Sequence, residues 1–506
     1  MLVKVLLIYI RYQQISLMKI IDKARSVPLQ VKASSAYMIC SILQRSLSFI
    51  TLPIFARLLT TEEYGLSVVY NSTMCFLIIF TTLQLPYGTF GKAMIKFESD
   101  RLGYVSSVNG LCTLLTIIYL IAYFCYCNFF DELSALPHLL LALMGIEMLM
   151  STSINFWMGY KRFEYKYKQV VFVTLLMSIM TVVVSVSAVL SCNAQTDKGI
   201  VRLLSSSFVV ITIGFVIYCR SLYYGKKFFN RTYWHYALSF NIPLIPYYLS
   251  QMIFNQSDRL MIDSMCGRGD AAKYGVAFNL GILLHFVLAA INSSYTPWLY
   301  NKIKNKDFEE NKVVSVAIAI LMSTLLLGVI SFAPEIIYIL AGPKYLDAVW
   351  VVPPISMGLL FLFYTQLFGS VEFYYEKKYY LVAGSIISAV LNVLLNWIFI
   401  DLYGYIAAAY TSLLCFIVFA LCNYMCMKCI CKQYQITAQM FDLRKLIVIC
   451  FVFVILSFSM MLLYDWLIVR LVVIALFLLL IVYKRDYILN KGKFTLLYHL
   501  KVCKNH

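Results

Sequence analysis

The residues with chemistry to offer in this chain are charged and polar side chains that stand where charge is expensive. Arg45 sits near the middle of the apolar run 36–58. An ionisable side chain at mid-membrane costs about 2.5–3.5 kcal/mol on insertion scales, so it asks for an aqueous cavity or a partner. Tyr37, Ser41, Arg45 and Ser48 recur at i, i+3 or i+4 and form one polar stripe on a helix. Tyr248, Gln251, Asn255 and Asp258 make a second stripe, which ends at Arg259. These stripes nominate Arg45, Ser41, Ser48, Tyr248, Gln251, Asn255 and Arg259 as contacts for a polar ligand in a shared hydrophilic interior. Glu147, within LALMGIEMLM, has no cation near it in sequence and is either a partner for Arg45 or a proton-binding site. With Asp258 and His285 it completes a set of candidates for ion coupling.

Each of these has a plainer reading. Arg45 could snorkel or bond a neighbouring carbonyl, and Arg57, Asp258 and Arg259 lie close to helix ends where snorkelling is cheap. His285, in LGILLHFVLA, is at least as often a structural hydrogen-bonding residue. Asn392 and Asn396, at i and i+4, more often mark bonding between helices than ligand contact.

The elements that must position these residues are membrane helices. The 506 residues are 62% hydrophobic and 13% charged, against about 45–50% and about 25% in soluble domains. Charges gather in short clusters between apolar runs of about twenty residues, the length that crosses a bilayer. Helices are expected near 36–58, 65–86, 104–127, 138–159, 169–191 and 203–221. Others follow near 238–258, 274–297, 313–333, 349–371, 379–401, 404–425, 446–464 and 466–483. This is an all-α membrane protein of about fourteen spans. Basic loops alternate with acidic or neutral stubs such as TTEEY and CNFFDEL. Lys and Arg mark the cytoplasmic side, so both termini are placed in the cytoplasm of a multi-pass inner-membrane protein.

The organisation that follows is a cytoplasmic N-terminal segment 1–34, an N-lobe 35–221, a cytoplasmic linker 222–237 and a C-lobe 238–427. A further pair of helices lies within 428–484, before a basic tail 485–506. The opening MLVKVLLIYIRYQQISL is too short to span and lacks a small-residue cleavage site, so Met18 is an alternative start. SFITLP and EYGLSVVYN in the first half echo SFNIP and KYGVAFN in the second, consistent with a parallel repeat about an axis along the membrane normal.

Several functions are disfavoured. The net charge of +18 sits in interhelical loops, where membrane orientation accounts for it, so nucleic acid is not an expected partner. The CxxC within Cys422, Cys426, Cys429 and Cys431 has neither a second pair nor a His nearby, so no zinc and no cofactor are expected. No GxxxxGK[ST], HExxH or nucleophile elbow occurs, and the short loops leave no room for a catalytic domain.

Four segments carry a family resemblance: LPIFARLLTTEEYGL, SFNIPLIPYYLSQMIFNQSDRLMI, AAKYGVAFNLG and LNVLLNWIFIDLYGYIAAAYTSL. In order and spacing they resemble the polysaccharide-transporter family of Wzx-type O-antigen flippases, within the multidrug/oligosaccharidyl-lipid/polysaccharide (MOP) exporter superfamily. IAAAY departs from the commoner GAA pattern after the turn that precedes it. The resemblance implies two six-helix lobes in a V-shaped, MATE-like arrangement plus two C-terminal helices. It implies a flippase that is not an enzyme, whose partner is undecaprenyl-pyrophosphate-linked oligosaccharide at the lipid bilayer, with a polysaccharide polymerase and a chain-length regulator as further partners. Arg45 becomes the expected pyrophosphate contact, with aromatic and amide side chains for the sugars. A drug/cation antiporter of the same superfamily ranks second, a lipid II flippase third and a membrane glycan polymerase fourth.

Overall fold

The computed structural model describes residues 29–129, 136–193, 196–436 and 439–473. The segment before Leu29, with the alternative start at Met18, and the tail beyond 473 lie outside the described residues. Every regular element described is helical. The first ten helices are α1 (Leu29–Leu58), α2 (Thr61–Thr82), α3 (Phe90–Lys96), α4 (Arg101–Phe129), α5 (His138–Phe163), α6 (Tyr167–Leu190), α7 (Lys198–Gly225), α8 (Arg231–Asn241), α9 (Ile245–Cys266) and α10 (Arg268–Asn305). The next six are α11 (Glu309–Ser331), α12 (Ala333–Ala341), α13 (Val352–Tyr374), α14 (Lys378–Tyr403), α15 (Ala407–Gln433) and α16 (Leu443–Leu462).

Eleven helices among the described residues are long and apolar enough to cross a membrane. Three of the expected spans are absent from that set, for different reasons. The one expected at 238–258 is broken: α8 ends at Asn241, a 3-10 turn runs over Ile242–Leu244, and α9 carries the polar run Gln251 to Arg259. Pro243 and Pro246 each sit in the first turn of the element they open, where a missing N–H costs nothing. The span expected at 274–297 lies inside the single longer helix α10, whose apolar middle GILLHFVLAAI is flanked by polar ends. The one expected at 466–483 is helical over 467–473 and then leaves the described residues.

The chain divides into two compact units, Met1–Ala272 and Lys273–His506, and the division falls inside α10. In the first, α2 packs on α4, α5, α7 and α9, and α1 lies along α6. Side-chain caps fix several helix starts. Asp197 accepts from Gly199 N at 2.8 Å and Asn230 from Thr232 N at 3.0 Å. Thr60 and Glu63 form a capping box, with Thr60 N donating to Glu63 Oε2 at 2.7 Å. The other Glu63 oxygen accepts from Lys198 N at 3.0 Å, so one carboxylate serves the N-termini of both α2 and α7. Two backbone breaks also meet: the turn after α2 passes Asn241, whose Nδ2 donates to Thr89 Oγ1 at 3.0 Å. Gly88 is there because a Cβ would lie 2.0 Å from Asn241 Oδ1.

The second unit is built on apolar layers from α10, α11, α13, α15 and α16, including Leu299, Met322, Phe363, Met427 and Phe453. Asn311 pins it, accepting from Tyr295 OH at 2.6 Å and donating to Met440 O at 2.7 Å. Asn392 and Asn396 bond across α14 and α15, to Ser412 Oγ at 3.3 Å and to Thr411. Bonding between helices, the plainer reading of these two residues, is what they do.

The paired motifs occupy matching places. EYGL follows a helix and a tight break at the start of α2, and KYGV follows α9 and Gly267 near the start of α10. Tyr64 and Tyr274 are both buried.

Candidate functional site

Within the first unit, α1, α2, α5, α6 and α7 enclose a cavity of about 280 Å³. Each wall is a helical stripe: Gln44, Leu47, Thr51 and Phe55 from α1; Ser67, Tyr70 and Asn71 from α2; Ser178, Thr181 and Ser185 from α6; Arg202 and Ser206 from α7. Glu147 is the contribution of α5. Its Oε2 accepts from Tyr70 OH at 2.7 Å and Ser207 Oγ at 2.6 Å, so three helices meet at one carboxylate oxygen. Arg202 lies in the first turns of α7 with its guanidinium 4.0 Å from the centre of the Phe55 ring and 5.2 Å from that of Tyr64. This cation–π arrangement holds a charge at the cavity wall.

The cavity has room for several waters at about 30 Å³ each, and its lining mixes hydroxyls, amides, one carboxylate and one guanidinium. That lining can hold a hydrated polar group. Among the described residues no group of three or more His, Cys, Asp and Glu could hold a metal ion.

The residues nominated from sequence fall into separate places. Glu147 is in the cavity. Arg45 and Ser41 are exposed on α1, one face away from the Gln44–Thr51 stripe that lines it; the Ser48 side chain is outside the described set. Tyr248, Gln251, Asn255, Asp258 and Arg259 lie on α9. There Asn255 Nδ2 donates to Gln251 O at 2.7 Å, and Arg259 Nη1 donates to Asn255 O at 2.6 Å and Gln256 Oε1 at 2.7 Å. Gln256 Oε1 also accepts from Ser72 Oγ at 3.2 Å, which fastens this network to α2 within the first unit. Asp258 and Arg259 are buried, at 2% and 6% exposure, so they are not helix-end charges reaching for water. His285 is in the second unit, half-buried on α10.

Arg202 was not nominated from sequence, where it reads as one of the few basic residues on the side opposite the cytoplasmic loops. A usable signal was present: Arg202 and Ser206 at i, i+4 in RLLSSSF, and Ser67, Tyr70 and Asn71 at i, i+3, i+4 in SVVYN.

Comparison with known proteins agrees with this architecture. The lipid II flippase MurJ in an inward closed conformation superposes with a TM-score of 0.67 at 15% identity, covering 89% of this chain and 99% of that one. An inward-facing multidrug resistance MATE transporter of the MOP superfamily gives 0.59 at 11% identity, covering 80% and 100%. The fold is therefore that of the MOP-superfamily transporters, a multi-pass membrane architecture. Residues 31–301 match the polysaccharide biosynthesis protein family, and the chain belongs to that family. A Haemophilus influenzae protein called Lsg locus putative protein 1 is 22% identical over 378 residues, 72% of this chain and 89% of its own length. An uncharacterized membrane protein of the same organism is 24% identical over 288 residues, 54% of this chain and 66% of its own length.

Proposed function

We propose that the protein is a flippase, not an enzyme. It moves undecaprenyl-pyrophosphate-linked oligosaccharide repeat units from the cytoplasmic to the outer leaflet of the bacterial inner membrane by alternating access, for O-antigen or capsule synthesis. The observation that carries the reading is the family match over 31–301, which takes in every helix that walls the polar cavity. The sugars need a wet path lined with hydroxyls and amides, the pyrophosphate needs a cation, and the lipid tail can stay in the bilayer. Arg45, Ser41, Ser48, Tyr248, Gln251, Asn255 and Arg259 are proposed as substrate contacts, and Glu147, Asp258 and His285 as ion-coupling groups. A polysaccharide polymerase and a chain-length regulator would take up the product. The antiporter reading stays second, on the single observation that Glu147 faces a cavity.

The test is transport itself. In vesicles holding the purified protein and a fluorescent undecaprenyl-pyrophosphate oligosaccharide, the glycan should become accessible to a membrane-impermeant reagent on the far leaflet. Protein-free vesicles should show no such change. No acceleration by the protein, with drug cations transported instead, would replace this reading with the antiporter.

The proposed orientation is checked separately. Alkaline phosphatase fused after Glu132, Lys198 or Lys344 is expected to be active, and after Lys166, Lys227 or Lys306 inactive. One inverted pair overturns the sidedness.

A further inference from the structure

The second unit holds a carboxylate that nothing above employs. Glu372, near the C-terminal end of α13, is 0% exposed. Neither of its carboxylate oxygens has a hydrogen-bond partner among the described residues. A charged carboxylate in such a place loses its hydration and gains nothing in return.

Among the described residues no hydrogen bond and no ion pair reaches its carboxylate. α13 packs along α15, and the titratable group that α15 turns toward Glu372 is the Cys426 thiol, with Cys422 and Cys429 next to it. The polar neighbour on the same helix is Asn423, whose Nδ2 is spent on Phe419 O at 2.8 Å. In the turn that follows α13, Glu376 is exposed. Lys377 gives its backbone N–H to the Glu372 main-chain oxygen at 2.9 Å, while its ammonium sits 5.9 Å from the centre of the Tyr434 ring. Tyr374 and Tyr375 turn to the rings of Tyr300 and Tyr434.

We propose that Glu372 is a proton-binding site. It keeps its proton while α13 and α15 are packed as described, and releases it to water only when the two helices part enough to hydrate the carboxylate. Protonation then favours the packed arrangement and deprotonation the parted one, because water reaches the charge only in the second. The site is separate from Glu147, which lies in the first unit, and it holds whatever the transported molecule is.

The experiment uses the full-length protein in lipid vesicles, with every cysteine except Cys426 and Cys429 replaced. Cys426 is half-buried beside Glu372, and Cys429 is exposed one turn further on, a reference for full accessibility against which parent and variants are compared at each pH. The maleimide labelling rate of Cys426 relative to Cys429 is expected to rise about tenfold between about pH 6 and pH 9 as the helices part. Glu372→Gln should hold the ratio low and flat, because it cannot ionise. Glu372→Leu should do the same, and it covers the case in which a buried amide fails to fold. A flat ratio in the parent protein, or a pH response that survives in either variant, overturns the proposal.

Discussion

Replacing Arg45 with alanine is expected to abolish surface glycan while leaving the protein at normal abundance. Arg45 projects from the middle third of α1 with its side chain exposed, so truncating it leaves no hole in the packing. Its guanidinium is the deepest cation offered by the helix that also supplies one wall of the polar cavity. A planar fork that meets a pyrophosphate through two parallel hydrogen bonds is worth more than a point charge. Hydrogen bonds to charged groups contribute about 1.5–3 kcal/mol each, so losing one lowers the population of bound substrate by about 10–150-fold. Lysine keeps the charge without the fork, and Arg45→Lys should restore glycan in part. Glycan on whole cells and the amount of protein in isolated membranes are the two measurements. Full glycan from the alanine variant at normal abundance removes Arg45 from the substrate path.

Collapsing the membrane potential is expected to slow flipping strongly, and more than collapsing the pH gradient does. A pyrophosphate diester carries about two negative charges, and moving each outward from a negative interior gains about 2.3 kcal/mol per 100 mV. The potential alone therefore contributes roughly 4–5 kcal/mol per 100 mV, provided that no protein cation crosses the field with the substrate. Arg45 is on α1, and the turn that follows α1 is held: Thr60 and Glu63 cap the next helix, and Glu63 reaches on to α7. Under the proposed function, a cation fixed in this way stays behind while the substrate passes it. The competing proposal places the drive at Glu147, the carboxylate that three helices share and that faces a cavity. In reconstituted vesicles, valinomycin and potassium remove the potential while the pH gradient is held. An unchanged rate there, joined to loss of transport in Glu147→Gln, would assign the drive to protons.

The helices were legible in the sequence because a bilayer asks for long apolar runs, and the runs here begin and end within a few residues of the structural elements. α5 was expected over 138–159 and runs His138–Phe163; α6 was expected over 169–191 and runs Tyr167–Leu190. The break at Ile242–Leu244 was less legible, because a proline in a membrane helix is as often tolerated as a kink. The cavity was legible only at Glu147. Most of its other polar lining is hydroxyls, and a serine or threonine in a membrane helix usually satisfies itself on the preceding turn, as Ser178 does on Thr174 O at 2.9 Å. Such residues carry no mark that they face a common space. The faces themselves are also finely divided. Gln44 and Arg45 are neighbours in sequence, yet the first lines the cavity and the second is exposed. Arg202 was hidden by its position at a helix start, where a basic residue reads as a loop charge.

The double duty of Glu63 also has a consequence in time. Its bond to Thr60 N joins residues three apart and can form as soon as α2 has been synthesised. Its bond to Lys198 N spans 135 residues and has to wait until three more long helices, α4 to α6, have been made and α7 has begun. During that interval the carboxylate holds one helix end with one oxygen and keeps the other for a partner that the ribosome has not yet delivered. The arrival of α7 is the step at which this contact can close, so a chain stalled before Lys198 is a part-built bundle with an unfilled acceptor. Quality-control proteases that survey the bilayer surface have there a local feature that separates an unfinished protein from a finished one.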